Sequence, residues 1–140
     1  MMHIVEMRVP GAQATALFQL RGLLNAETFE QLQLSAQRWI EQGTCYLVLD
    51  MAEITYMSSA GIRALNHIFH AMRTDAPEDS DRAIKDGMKQ GTYRSPHLKL
   101  ARPQPRVQQV LTLAGVNQFL EIHADVQAAI ASFSATRLTT

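Results

Sequence analysis

Val5, Met7 and Val9 alternate with polar neighbours, the pattern of a half-buried strand, and Pro10-Gly11 marks a turn after it. Ala14, Ala16, Phe18 and Leu20 repeat the period of two, so a second strand follows and pairs with the first as an antiparallel hairpin. Beyond Gly22 the period lengthens. Phe29, Leu32, Ala36, Trp39 and Ile40 fall on one face of a helix, with Asn25 as its N-cap and Gly43 just past its end. The run Tyr46-Leu47-Val48-Leu49 is apolar on both faces of the pleat and stops at Asp50, as expected of a central strand covered on both sides. A helix from about Ser59 to Arg73 comes next. Ile62, Leu65, Ile68, Phe69 and Met72 form its inner stripe, and Arg63, Asn66, His67, His70 and Arg73 its outer one.

Residues 74–96 break the rhythm. Thr74 to Asp81 is acidic and polar, and Arg82 to Arg94 is more basic than acidic, interrupted by Gly87 and Gly91. This stretch predicts a long, mostly solvated polar insertion with one short helix near Ala83 to Met88, a tolerated loop rather than a second partner contact. Leu98-Lys99-Leu100-Ala101 is a short strand. Val107, Val110, Leu111 and Ala114 mark a helix closed by Gly115, and Phe119-Leu120-Glu121-Ile122 is a last strand. Val126, Ala129, Ile130 and Phe133 mark a terminal helix with Asp125 in its first turn, where the dipole favours negative charge. The order β-β-α-β-α-β-α-β-α predicts a single α/β domain over residues 1–140. Its sheet is mixed and mainly parallel, with four to five strands and about four helices.

Composition narrows the function classes. The chain is long enough for one core, and its apolar fraction excludes a disordered segment. Thirteen basic against thirteen acidic residues leave no global field to attract nucleic acid or anionic lipid. Arg94, Lys99, Arg102 and Arg106 form a loose basic stretch, but without the interleaved aromatics of a nucleic-acid platform. The lone Cys45, at the head of an apolar run, reads as a buried thiol in a reducing compartment. No stretch approaches the roughly 20 apolar residues needed to span a bilayer, and the start lacks a leader pattern, so the cytoplasm is expected.

Candidate chemistry gathers at Tyr56-Met57-Ser58-Ser59-Ala60-Gly61. A strand ending at Asp50, a connection through Ala52 to Thr55 and a helix from Ser59 put two hydroxyls at a helix N-terminus. Unpaired amides and the helix dipole favour negative charge there, including a phosphate on serine. Taken alone, the pattern favours a plain N-cap worth about 1 kcal/mol. A hydrolase nucleophile elbow needs Gly-x-Ser-x-Gly, and Met57 stands at the first glycine; His97 or His123 would have to serve as base. No phosphate loop of the Walker type is present. His67 and His70 lack a third metal ligand, and Asp75 to Asp81 lacks the glycine and terminal glutamate of a calcium loop. Neither a metal nor a cofactor is expected.

The segment from Leu47 to Leu65, LVLDMAEITYMSSAGIRAL, resembles the signature of STAS domains, the fold of anti-sigma factor antagonists. Leu20-Arg21-Gly22-Leu23-Leu24-Asn25-Ala26 is similar to that family's turn before its first helix. Val107 to Val116 with Phe119-Leu120-Glu121-Ile122 is similar to its closing helix-strand unit. The resemblance implies a partner-switching module and no enzyme. A GHKL-type serine kinase, often itself the anti-sigma factor, phosphorylates a serine at this junction, and a PP2C-type phosphatase removes the phosphate. Aligned on Gly61, the acceptor is Ser59, with Ser58 the less favoured hydroxyl. The implied partner-binding face is Asn25, Ser58, Ser59, Ala60, Gly61, Ile62 and Arg63. Aspartate is common in the family at the places of Ser58 and Asn25, so this face carries less negative charge than usual. The alternative is a non-switching STAS scaffold subunit of a lipid-transport or stress-sensing assembly.

Overall fold

The computed structural model describes residues 2–73, 80–91 and 93–138, with side chains as far as Phe133. The elements are β1 (Met2–Arg8), β2 (Thr15–Leu24), α1 (Phe29–Glu41), β3 (Tyr46–Met57), α2 (Ser59–Ala71), α3 (Asp81–Gln90), β4 (Leu98–Ala101), α4 (Pro105–Leu113), β5 (Glu121–His123) and α5 (Val126–Leu138), with a 3-10 turn at Val116–Gln118 before β5. The strands form one sheet in sequence order, β1-β2-β3-β4-β5. β1 pairs antiparallel with β2, and the other pairs are parallel, as expected. The described residues form five helices, four in the expected order and α3 in the insertion, where a short one is expected near Ala83 to Met88.

Two apolar layers flank the sheet. Phe18, Leu20, Leu47, Leu49, Met51, Leu98 and Leu100 meet Leu32 and Ala36 of α1, Leu65 and Ile68 of α2 and Leu111 of α4 in the larger one. Leu17, Val48 and Ala101 meet Ala129 and Phe133 of α5 in the smaller one. Burial on both pleat faces explains why β3 reads as a continuous apolar run at Leu47–Leu49.

Several expectations are corrected. β3 does not stop at Asp50 but runs on to Met57, because β2 runs on to Leu24 beside it, pairing Arg21 with Glu53, Gly22 with Ile54 and Leu24 with Met57. The alternation is disguised by register shifts between Gln19 and Arg21 and between Gly22 and Leu23. Val5 is 53% exposed, while Met7 and Val9 pack against the smaller layer. Cys45 is exposed ahead of β3, its backbone N–H donating to the Ala14 carbonyl at 2.9 Å. The last strand begins at Glu121, because Phe119 and Leu120 leave the preceding turn as core residues.

Where it is described, the insertion is mostly exposed, but α3 is anchored to the core through one face. α3 is capped by Ser80, whose Oγ accepts from Ala83 N–H at 3.1 Å, and it closes on Gly91 at φ 72°. Its Ile84 joins the larger core, and Tyr93 packs edge-on against Phe69. Most of the acidic run from Asp75 to Asp81 lies outside the described residues. Its last member, Asp81, pairs with Arg73 at 2.8 Å.

Candidate functional site: the junction of β3 and α2

The paired ends of β2 and β3 fix the junction. Ser58 N–H donates to the Leu24 carbonyl at 3.0 Å, holding the turn into α2 against the end of β2. Ser58 is the N-cap: its backbone is extended, and its Oγ accepts from Ala60 N–H at 3.2 Å. Ser59 is the first helical residue. It is exposed, and its hydroxyl has no hydrogen bond among the described residues. Adjacent serines thus have different tasks, one closing the helix and the other offered to solvent.

Ala60 is buried at 2% and Gly61 is buried beneath it, so neither presents a side chain to a partner. A Cβ on Gly61 would sit 2.8 Å from Met57 Cγ and 3.0 Å from Leu24 Cγ. The glycine is there for close approach of the helix to the strand ends, since no positive φ is involved. Ile62 is half-buried and packs against the core. Arg63 is exposed, with its guanidinium over the Phe29 ring at 5.7 Å from the centroid.

Asn25 lies beside this junction but is not the cap of α1. Thr28 takes that place, with Asn25 three residues earlier. Asn25 Oδ1 accepts from Glu27 N–H at 2.9 Å, so it closes a side-chain turn that leads into the helix. Thr28 Oγ1 accepts from Asn25 N–H at 3.0 Å and donates to the Leu23 carbonyl at 2.7 Å. The loop is thereby fixed to the end of β2.

Sequence reasoning missed an exposed apolar pair at the ends of the paired strands. Leu23 and Tyr56 are register partners on β2 and β3, and both are exposed, at 37% and 49%. They form an apolar pair one residue before Leu24 and Met57. Continuing the β2–β3 pairing beyond Asp50 was the signal that would have found them. Arg21 and Glu53, an exposed pair at 2.8 Å, flank them and contribute little to stability.

Other sequence candidates lie elsewhere. His97 precedes Leu98, which is level with Leu47, so Ser58 lies roughly 40 Å further along β3. His123 is level with Ala101 and through it with Asp50, roughly 25 Å short of Ser58. Neither histidine reaches Ser59, and the described geometry assembles no hydrolase triad. Among the described residues no group of three potential metal ligands comes together, and His70 faces Arg73 at 3.4 Å.

The basic stretch is dispersed rather than presented as a patch. Arg94 donates to the Tyr93 and Gln118 carbonyls. Arg102 forks onto the buried Asp50, at 3.1 Å through Nε and 2.6 Å through Nη2, and this pairing raises its pKa. Lys99 is fully buried, held by Ser132 Oγ at 2.6 Å, Glu121 at 3.3 Å and the Phe133 ring at 4.6 Å. Burial lowers its pKa and Glu121 opposes that shift.

A family model described as the STAS domain matches residues 6–76, just over half of the chain and the whole of the junction. The chain belongs to the STAS-domain family. Solved structures share its fold at low identity. The anti-sigma factor antagonist SpoIIAA, in its unphosphorylated form, is 17% identical with a TM-score of 0.68, over 95% of this chain and 97% of that one. An anti-sigma factor antagonist from Mycobacterium paratuberculosis is 10% identical with a TM-score of 0.71, over 96% and 95%. A sulfate transporter family protein from Wolinella succinogenes is 17% identical with a TM-score of 0.60, over 96% and 93%. No curated protein matches this STAS chain in sequence. No helix among its described residues is long and apolar enough to cross a membrane.

Proposed function

We propose that this STAS protein is a binding module, not a catalyst, that docks a GHKL-type serine kinase or anti-sigma factor through the surface around Ser59. In this reading the kinase phosphorylates Ser59 and thereby ends docking, and a PP2C-type phosphatase restores it. The observation that carries the reading is the division between the two serines. Ser58 Oγ is engaged with Ala60 N–H, whereas Ser59 is exposed at the first position of α2 with its hydroxyl uncommitted. Exposed Arg63, one turn further along α2, adds a cation.

The chemistry belongs to the kinase. The bond between the γ-phosphorus of ATP and its bridging oxygen breaks, the Ser59 Oγ–P bond forms, ADP leaves and the serine proton passes to the kinase base. The product adds about −1.5 to −2 charges to a face that must be desolvated for docking. Burying that charge against an unmatched partner surface drives release.

The test incubates the protein with an active GHKL-type kinase from its own organism and ATP, then maps phosphate by mass spectrometry and measures partner capture. Phosphate on Ser59, loss of capture on modification and constitutive capture by Ser59→Ala are the expected results. Phosphate on neither serine would overturn the switch. The scaffold reading is favoured by Ser58 and Asn25, which stand where the family commonly has aspartate. Equal capture by Ser59→Ala and Ser59→Asp would select it.

A further inference from the structure

Residues four apart on a helix stand one above the other, with Cβ atoms about 5–6 Å apart, and an anion N-terminal to a cation is the favourable order. Ser59 and Arg63 have that spacing on α2, and both are exposed. Three other guanidiniums are held by carboxylates: Arg21 by Glu53 at 2.8 Å, Arg73 by Asp81 at 2.8 Å and Arg102 by Asp50 at 2.6 Å. Arg63 instead rests on the face of Phe29, the first residue of α1. An exposed cation–π contact of this kind is weaker than a charge-assisted pair with a doubly charged phosphate. The first turn of α2 carries no acidic side chain to compete for it.

We propose that Arg63 is the intramolecular receptor for the phosphate on Ser59. On modification the guanidinium leaves Phe29 and pairs with the phosphoryl oxygens one turn back. The inference rests on Ser59 being the acceptor, and it adds how the switch is read. In the unmodified protein Arg63 is a cation available to an acidic group of the partner. In the modified protein it is consumed internally and the Phe29 ring is uncovered. The local charge goes from +1 to about −1, so the face inverts its sign rather than merely gaining an anion.

The experiment uses full-length protein with phosphoserine installed at position 59 during synthesis, so it needs no kinase. A phosphorus NMR titration reads the second pKa of the phosphate, and a nitrogen spectrum reads Arg63 Nε. A pKa about half a unit lower in the parent than in Arg63→Gln is expected, with Arg63→Lys between them because lysine lacks the fork. The Arg63 Nε resonance shifts between the unmodified and modified proteins. Equal phosphate pKa values in all three proteins overturn the proposal. An unmoved Nε resonance in the unsubstituted protein overturns it without any variant. Failure of a kinase to modify Ser59, or undiminished capture by the phosphoprotein, would instead sink the switch while leaving these readings intact.

Discussion

On one face of the sheet Leu47, Leu49, Met51, Leu98 and Leu100 meet three crossover helices through apolar side chains. On the other face Lys99, Glu121 and Ser132 form a polar cluster beneath α5, beside a small apolar layer built on Phe133. The first face needs no directional partner, and it carries α2 to the end of β3, where Ser59 emerges. The second depends on a lysine whose charge is removed from water and held by a serine, a carboxylate and a ring. The function proposed for the junction therefore depends on rigid apolar packing, and the α5 side is the place where ionisation bears on stability.

Truncation on the apolar face should have the largest effect. Leu65 is fully buried on α2, and Leu65→Ala should destabilise by about 2–5 kcal/mol, read from the urea midpoint. A loss below about 1 kcal/mol would mean that α2 is not packed as a rigid element. Gly61→Ala comes next. The added methyl meets Met57 and Leu24 within 3.0 Å, for a cost of about 1–3 kcal/mol. Alanine's better helix propensity returns up to about 1 kcal/mol of it. The same variant should shift the β3–α2 junction and weaken partner capture beyond its loss of stability.

The α5 side responds to pH instead. Burial lowers the Lys99 pKa, so between its folded and its ordinary value the unfolded chain binds more protons than the native one. Stability from this group therefore rises with pH through that window, and is lowest where Lys99 is protonated in both states. Lys99→Met removes the slope. Its stability should lie within about 1 kcal/mol of the parent near pH 7, because Glu121 keeps His123 at 2.8 Å. Raising the pH towards lysine's ordinary value should move the comparison in the parent's favour. Parallel urea midpoints for both proteins across that range would show that Lys99 is not the buried group the geometry describes.

How much of this was legible in the sequence follows the same division. The helices on the apolar face were readable because a stripe of period 3.6 leaves its mark on the chain; α2 begins at Ser59 as its pattern indicates. β4 was readable at Leu98–Ala101 for a similar reason, its flanks being marked by polar residues and proline. Lys99 was not, since a charge buried by a helix 33 residues later reads locally as a surface lysine. Nor was the second half of β3, where extra residues in β3 opposite β2 break the alternation that would have revealed Leu23 beside Tyr56. The junction's residues were legible through resemblance, but their roles were not: no spacing says that Ser58 is tied to Ala60 and Ser59 is free.

That division of roles gives the smallest predicted effect and the most discriminating one. Ser58→Ala removes the acceptor for Ala60 N–H at the cap of α2 and should cost about 1 kcal/mol. Ser59→Ala removes a hydroxyl that bonds nothing among the described residues, at a first-turn position where alanine is the better helix former. Its stability should lie within about 0.5 kcal/mol of the parent, on either side. Matched urea denaturation of the two variants separates these values. A larger loss in Ser59→Ala than in Ser58→Ala would assign the cap to Ser59 and leave Ser58 as the free hydroxyl. The phosphoacceptor and the Arg63 spacing would then both have to be redrawn. If the predicted order holds, Ser59 is a residue whose hydroxyl the fold does not use, and it can be modified without loosening the helix that presents it.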